Sequence, residues 1–216
     1  MSTRRGRRRP LAPGFQDLVC FSDGCRGFQL SAAAILHSPA AGELAHGGNV
    51  AQEMRCSWGC PGMWAAALHP GLTAGALELA GIALSLTLLT NYALAFCGAA
   101  GSGGQPGTLS MSAYSDDLPI VEFVLQGGAS DAGARHLEGL VGHVRGMLDA
   151  LRSDPASSQV FLLWAPRGTQ GMRRADQLAR SGALAEWPDR LEQLLLDSSQ
   201  AYLAASPQDQ SVMDRY

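Results

Sequence analysis

The fold is decided by one apolar stretch, "GLTAGALELAGIALSLTLLTNYALAFCGAAG", residues 71–101. Between Leu79 and Ala100 it contains no charged side chain, which is long enough for a helix to cross a bilayer. It lacks aromatic girdles at its ends, and four polar residues interrupt it: Ser85, Thr87, Thr90 and Asn91. We therefore predict a core helix over residues 73–95, packed between a sheet and its outer helices, rather than a membrane span.

One carboxylate stands at the start of this apolar helix. Ile82, Ser85 and Leu86 follow Glu78 at helical spacing, so Glu78 lies on a buried or half-buried side of the helix. Burying an unpaired carboxylate is costly. The sequence therefore predicts a partner for Glu78 in the folded protein.

Three aspartates also lie at the ends of apolar elements. Asp23 ends a strand, Asp116 ends another, and Asp176 lies near the first turn of a helix that follows a strand. Each has an ordinary explanation when taken alone. Asp23 would be a turn residue, Asp116–Asp117 a helix N-cap, and Asp176 the partner of Arg180 on one helix face.

A shared metal site explains all four acids together. Carboxylate oxygens are the ligands that Mg²⁺ and Mn²⁺ prefer. Two such ions, roughly 4 Å apart, can activate a water and stabilise the leaving oxygen of a phosphodiester. We therefore expect Asp23, Glu78, Asp116 and Asp176 to converge and to bind two Mg²⁺ or Mn²⁺ ions.

Strands and helices alternate irregularly along the chain. Apolar alternation and β-branched runs predict strands at 16–24, 27–39, 108–116 and 158–166, with a further strand near 54–58 or 63–68. Helical spacing of apolar residues predicts helices after the long one at 118–127, 134–153, 172–186 and 187–205. The first two strands form a hairpin in this interpretation, and residues 98–107 form a Gly-rich linker.

Charge is unevenly distributed. The chain has sixteen Arg and no Lys, and five of these Arg lie in "RRGRRR" at residues 4–9. The remainder carries 11 Arg against 19 acids, which argues against tight nonspecific binding to nucleic acid. We predict that residues 1–14 are a disordered basic tail, with nuclear import or nucleic-acid contact as the alternatives.

The cysteines indicate a reducing compartment. The five of them have no regular spacing, and the charged start is followed by prolines rather than by the apolar run of a secretory signal. We expect an intracellular protein, nuclear or cytoplasmic. Cys56 and Cys60 with His46 and His69 are a conceivable zinc set, but the three-residue gap between the cysteines favours free thiols.

Four blocks of sequence, in order, carry a family resemblance. They are "CFSDGCRG", "ALELAGIALSL", "AYSDDLPIVEFVL" and "VFLLWAPRGTQGMRRADQLARSGA". Together, over residues 16–186, the chain resembles the ribonuclease H family, especially the ribonuclease H domains of retroelement reverse transcriptases. The last block is the most specific of the four. The resemblance implies an α/β fold, a mixed five-stranded sheet flanked by helices on both faces, which agrees with the element order above.

The resemblance also implies an activity. Asp23, Glu78, Asp116 and Asp176 match the metal-binding acids of the family, with Asp116 preferred over Asp117 because it directly follows "AYS". The implied reaction is metal-dependent hydrolysis of the RNA strand of an RNA–DNA hybrid. We expect a monomer that acts on nucleic acid and not on membranes. Because no polymerase domain is present in the sequence, a reverse transcriptase is a candidate partner.

The chain departs from the family in its last loop. Many members carry a histidine after Trp-x-Pro, whereas this loop reads "RGTQGMRR". A catalytically weak or inactive module, a domesticated retroelement fragment that binds nucleic acid or protein, is therefore the alternative function. Guanidinium groups suit phosphate, so the candidate substrate-binding residues are Arg26, Arg167, Arg173 and Arg174.

Three regions follow from composition and resemblance. Residues 1–14 form the tail, and residues 15–186 form the ribonuclease H-like domain, with insertions near 40–70 and 97–107. Residues 187–216 form a C-terminal helix and tail.

Overall fold

The structure, a computed structural model, describes residues 15–26, 30–37, 50–58, 69–100, 108–126, 132–154, 157–181 and 186–215. The strands are β1 (Phe15–Arg26), β2 (Leu30–His37), β3 (Val50–Trp58), β4 (Thr108–Ser115) and β5 (Ser157–Trp164). The helices are α1 (Ala74–Ala100), α2 (Leu118–Gln126), α3 (Glu138–Ser153), α4 (Gln170–Ser181), α5 (Asp189–Ala204) and α6 (Pro207–Met213). A 3₁₀ helix, Ala132–Leu137, precedes α3.

The five strands form one mixed sheet in the order β3-β2-β1-β4-β5. β1, β2 and β3 pair antiparallel, which confirms the predicted hairpin. β1 and β4 pair in parallel, with Phe21 opposite Tyr114, and β5 continues this parallel half. Because the carboxyl ends of parallel strands meet at one edge, Asp23 and the residue after β4, Asp116, are brought to the same place. The predicted fold class is confirmed.

Helices cover both faces of the sheet. α1 packs on one face against β1, β2 and β4, and α4 packs on the other face against β1 and β2. The approach of α1 to β1 is very close, since a Cβ atom added at Gly24 would lie 2.5 Å from the backbone carbon of Leu77. The sheet therefore holds the start of α1, and with it Glu78, directly against the end of β1.

α1 is the core helix that the sequence predicts. Residues Ala74–Ala95 are long and apolar enough to cross a membrane, but 72% of the most apolar window is buried inside the protein. Two of its polar residues are accommodated locally: Thr87 donates a hydrogen bond to the carbonyl of Ala83 (2.9 Å) and Thr90 to that of Leu86 (2.8 Å). Each hydroxyl is satisfied by the preceding turn, so it does not oppose burial of the helix.

Several predicted boundaries are wrong. α1 continues to Ala100, so the linker expected from residue 97 or 98 begins later along the chain. The strand predicted near 54–58, within the expected insertion at 40–70, is confirmed as β3, but it begins earlier, at Val50. The single helix expected at 134–153 is a 3₁₀ helix followed by α3, and the helix expected at 172–186 is Gln170–Ser181. Residues 1–14 and the alternative third strand at 63–68 lie outside the described residues.

The C-terminal helix α5 packs onto the domain core. Leu191, Leu194 and Leu195 are buried in the same apolar cluster as α1 and the sheet. The indole of Trp58, on the edge strand, donates to Glu192 of this helix (3.1 Å). The sequence did not predict α6, a short helix whose N-cap hydroxyl, Ser206, accepts a hydrogen bond from the backbone N–H three residues ahead (3.2 Å).

Candidate metal centre

Three of the four predicted acids converge near the carboxyl ends of β1 and β4, although Asp23 does not end its strand as predicted, since β1 continues to Arg26. Asp23, Glu78 and Asp116 each present an oxygen atom, and these oxygens all lie within 4.8 Å of one another. They come from β1, from the first turns of α1, and from the residue that follows β4. This is the arrangement that the sequence predicts for these three residues.

Glu78 is held by hydrogen bonds from two neighbouring elements. The backbone N–H of Gly24 donates to its Oε1 (3.2 Å), and the hydroxyl of Ser115 donates to its Oε2 (3.3 Å). Glu78 is only 5% exposed. Burial, followed by the charges of Asp23 and Asp116, raises the pKa of Glu78 well above its usual range. The carboxyl group is therefore fixed in orientation, and its surroundings disfavour its ionised form.

Asp23 lies beside Glu78 and is 2% exposed. Burial is the main cause that raises the pKa of Asp23 to about 7, and the charges of Asp116 and Asp176 add to it. Near neutral pH this carboxyl therefore titrates between its protonated and ionised forms. A bound divalent cation would relieve the repulsion between these closely spaced negative charges.

Asp116 has one open oxygen. Its side chain is only 3% exposed, and among the described residues its buried Oδ1 has no hydrogen-bond partner. Its Oδ2 accepts a hydrogen bond from Nε of Arg167 at 2.5 Å. Asp117, the alternative in the sequence, has a different role, because its Oδ1 accepts from the N–H of Ile120 (3.0 Å) and caps α2.

Asp176 lies at the rim and not in the group of three. It pairs with Arg180 one turn along α4, with an Nη2–Oδ1 distance of 2.7 Å. Its charge nevertheless contributes to the raised pKa of Asp23, so it lies near the cluster. Both explanations given for it from the sequence, the helix-face pair and membership of the acidic site, are therefore compatible with its position.

The four candidate arginines have different surroundings. Arg26 donates to the carbonyl of Pro70 (3.3 Å), and Arg174 pairs with Glu53 of β3 (3.2 Å). Arg173 is exposed on α4. Arg167 contacts the acidic cluster itself, and no sequence pattern predicted this contact because the two partners are far apart along the chain.

Two further features bear on the sequence predictions. Ser115, which orients Glu78, was not singled out from the sequence, and only its place just before Asp116 could have pointed to it.

The structure describes two residues of the conceivable zinc set. Cys56 is a buried free thiol, and its burial raises its pKa to about 11. His69 stacks on Trp58, with ring centroids 4.7 Å apart. Cys60 and His46 lie outside the described residues.

The residues present fit a divalent cation. The donor set consists of hard carboxylate oxygens from three elements, and one of these oxygens is buried without a partner among the described residues. Hydrogen bonds fix the orientation of Glu78, so the oxygens are held in place before an ion arrives. Such a donor set suits Mg²⁺ or Mn²⁺ better than softer metals.

Comparisons with known proteins found similar solved structures. No family model and no curated protein matches the chain. RNase H1 from the halophilic archaeon Halobacterium salinarum NRC-1 is 15% identical, with 76% of this chain and 95% of that one covered and a TM-score of 0.46. The N-terminal RNase H domain of rv2228c from Mycobacterium tuberculosis is 14% identical, with 86% and 98% covered and a TM-score of 0.46.

A third similar structure is LC11-RNase H1 in complex with an RNA/DNA hybrid. It is 14% identical, with 76% of this chain and 94% of that chain covered, and its TM-score is 0.49.

Proposed function

We propose that the protein is a metal-dependent endonuclease that hydrolyses the RNA strand of RNA–DNA hybrids. The observation that carries this proposal is the convergence of Asp23, Glu78 and Asp116 at the carboxyl ends of two parallel strands. Supporting it are the four ordered sequence blocks in which these acids stand. Hydrolysis of a phosphodiester is the reaction that such a set of carboxylates, once loaded with divalent cations, is suited to catalyse.

Each acid has a distinct part in the proposed site. Asp23, Glu78 and Asp116 would hold the first ion, and Asp176 at the rim would complete the site for a second. When bound, the ions supply activation of the attacking water and stabilisation of charge on the leaving oxygen. Gly24 and Ser115 keep Glu78 oriented, and the side chains of all three acids are almost completely buried.

Substrate binding would rely on a small number of arginines. The acidic body of the chain favours a substrate held by few phosphate contacts close to the site. Arg167, beside Asp116, is the candidate in contact with the proposed site, and Arg173 is exposed on α4, the helix that carries Asp176. The choice of an RNA–DNA hybrid over other duplexes comes from the sequence resemblance.

A weak or inactive nucleic-acid-binding module is the second candidate function. Two of the four acids are already paired with arginines in the structure, Asp116 with Arg167 and Asp176 with Arg180. The loop that follows β5 also lacks the histidine found in many members of the family. Both features predict a slower enzyme, and in the extreme case a protein that binds hybrids without cutting them.

The test is cleavage of a hybrid with labelled RNA, in Mg²⁺ or Mn²⁺, beside double-stranded DNA and double-stranded RNA of the same sequence. We expect Asp116→Asn and Glu78→Gln to lower the cleavage rate by about 100-fold or more. Asp117→Asn is the matched control, because asparagine also caps a helix well, and it should retain activity. Full activity in both site variants would refute the proposal, and hybrid binding without cleavage in the unmodified protein would favour the second candidate.

A further inference from the structure

Arg167 makes an unusual contact for an exposed surface residue. Its side chain is 72% exposed, yet its Nε donates a hydrogen bond of 2.5 Å to Oδ2 of Asp116, whose side chain is only 3% exposed. One end of this ion pair is therefore in solvent and the other lies inside the carboxylate cluster. The guanidinium reaches the cluster from outside and places a positive charge against one of its oxygens.

The loop that carries Arg167 is anchored to Asp116 by other contacts. The indole N–H of Trp164 donates to the backbone carbonyl of Asp116 (3.0 Å), and the N–H of Ala165 donates to the carbonyl of Ser115 (2.9 Å). The N–H of Thr169 then donates to the carbonyl of Pro166 (2.9 Å), and the turn that this bond closes leads into α4. These contacts position the loop independently of the ion pair, which is an addition that the local fold does not require.

The two oxygens of Asp116 differ in a way that matters for a cation. Oδ1 is buried and has no partner among the described residues, whereas Oδ2 is occupied by the guanidinium. An ion that approaches the cluster meets a fixed positive charge beside it. It either shares Asp116 with Arg167 or replaces Arg167 at this carboxylate. Both the lost hydrogen bond and the like-charge repulsion oppose its binding.

We propose that Arg167 is a built-in competitor of the divalent cation, which holds Asp116 when the ion is absent and leaves it when the ion binds. This inference rests on the proposed function, since it concerns the same carboxylates. Its consequence is a coupling between two events at the site. Binding of the ion releases an exposed guanidinium on a well-anchored loop, where it becomes available to a phosphate group of the substrate.

The first test measures the affinity for Mg²⁺ and Mn²⁺ by calorimetry in the absence of nucleic acid. Removal of the competing charge in Arg167→Gln should tighten binding by about three- to tenfold. Arg167→Lys, which keeps a charge but loses the planar fork, should fall between this variant and the unmodified protein. Arg152→Gln is the matched control, because Arg152 is likewise an exposed arginine in an ion pair, with Asp149 (3.7 Å), and its affinity should not change.

The second test observes the guanidinium directly. In ¹⁵N NMR spectra, the Nε–H signal of Arg167 is identified by its loss in Arg167→Gln. Titration of Mg²⁺ should move this signal toward the position that it has in Asp116→Asn, where the ion pair is absent. A signal that stays in place at saturating Mg²⁺ would overturn the inference.

The outcomes separate this inference from the proposed function. Equal or weaker ion affinity in Arg167→Gln, with clear binding by the unmodified protein, overturns the competitor role and leaves the metal site intact. If neither protein binds Mg²⁺ or Mn²⁺ at millimolar concentrations, the proposed function and the inference both fail.

Discussion

The carboxylates of Asp23 and Glu78 lie side by side, and both are almost completely buried. One extends from a strand and the other from the helix packed on that strand, with the N–H of Gly24 bonded to the glutamate. Burial is the main cause that raises the pKa of both groups; the charges of Asp116 and Asp176 add to the rise for Asp23, and those of Asp23 and Asp116 add to the rise for Glu78. The pair therefore destabilises the metal-free protein whenever both groups are ionised, and this cost has measurable consequences.

The stability of the metal-free protein should fall as the pH rises. The raised pKa of Asp23, about 7, means that the folded state binds a proton that the unfolded state has already lost above pH 4. In EDTA, Asp23→Asn should therefore be more stable than the unmodified protein at pH 8, by roughly 3–4 kcal/mol, with little difference near pH 4. Chemical denaturation at several pH values measures this.

A control for this prediction is available on the surface. Asp149 has a side chain that is 73% exposed, so Asp149→Asn should give no such pH-dependent gain. A gain in Asp23→Asn that is the same at pH 4 and pH 8 would show that the effect is not due to ionisation.

Ion binding should strengthen with pH over the same range. Because the cation requires ionised carboxylates, a proton competes with it at Asp23 below the pKa of about 7. We expect the apparent affinity for Mg²⁺ to fall up to about tenfold per pH unit below pH 7, measured by calorimetry at pH 6, 7 and 8. Asp116→Asn should greatly weaken binding at every pH, and a pH-independent affinity would contradict the assignment of Asp23 as a ligand.

The close approach of β1 and α1 should not tolerate a methyl group. In Gly24→Ala, the new Cβ would lie 2.5 Å from the backbone of Leu77, so the strand and the helix must separate. We expect a loss of about 1–3 kcal/mol in the free energy of unfolding, and weaker Mg²⁺ binding because Glu78 moves away from Asp23. Gly142→Ala on α3 is the control, since nothing lies within 4 Å of its Cβ, and it should be stabilising by about 0.5–1 kcal/mol.

The hydroxyl of Ser115 should contribute to the site through Glu78. It donates to Glu78 Oε2 and accepts from the N–H of Asp117 (3.2 Å), so Ser115→Ala leaves two buried groups without this partner. We expect a loss of about 1–3 kcal/mol in stability and a further rise in the pKa of Glu78, which appears as weaker Mg²⁺ binding at neutral pH. Ser112→Ala, on the same strand outside the cluster, should leave ion binding unchanged.

The sheet and the acidic cluster could be predicted because both depend on local sequence patterns, namely apolar strands and carboxylates placed on apolar elements. Alternating apolar residues identified four of the strands, and the unusual position of Glu78 on an apolar helix indicated a shared site. Asp116 was preferred to Asp117 because it directly follows "AYS" in the family resemblance; the structure places Asp116 in the group of three carboxylates, while Asp117 caps α2.

The contacts of the rim could not be predicted in the same way. The ion pair of Arg167 with Asp116 depends on how a loop folds back after β5, which no spacing encodes. The end of α1 was missed because Gly98 was read as the start of a Gly-rich linker, whereas Ala99 and Ala100 favour a helix and α1 continues to Ala100. The role of Asp176 in ion binding and the roles of Arg26, Arg173 and Arg174 in substrate binding stay predictions.

The parallel pairing of β1 with β4 has a consequence for the lifetime of the native molecule. The three carboxylates come from distant parts of the chain and meet only after both strands and α1 have assembled. Their repulsion is therefore absent from early, partly ordered states and is felt at the end of assembly. A cation that relieves it acts on the native state alone, so it slows unfolding while the folding rate stays set by the sheet. The concentration of free divalent cations would then set the lifetime of the folded protein before it unfolds.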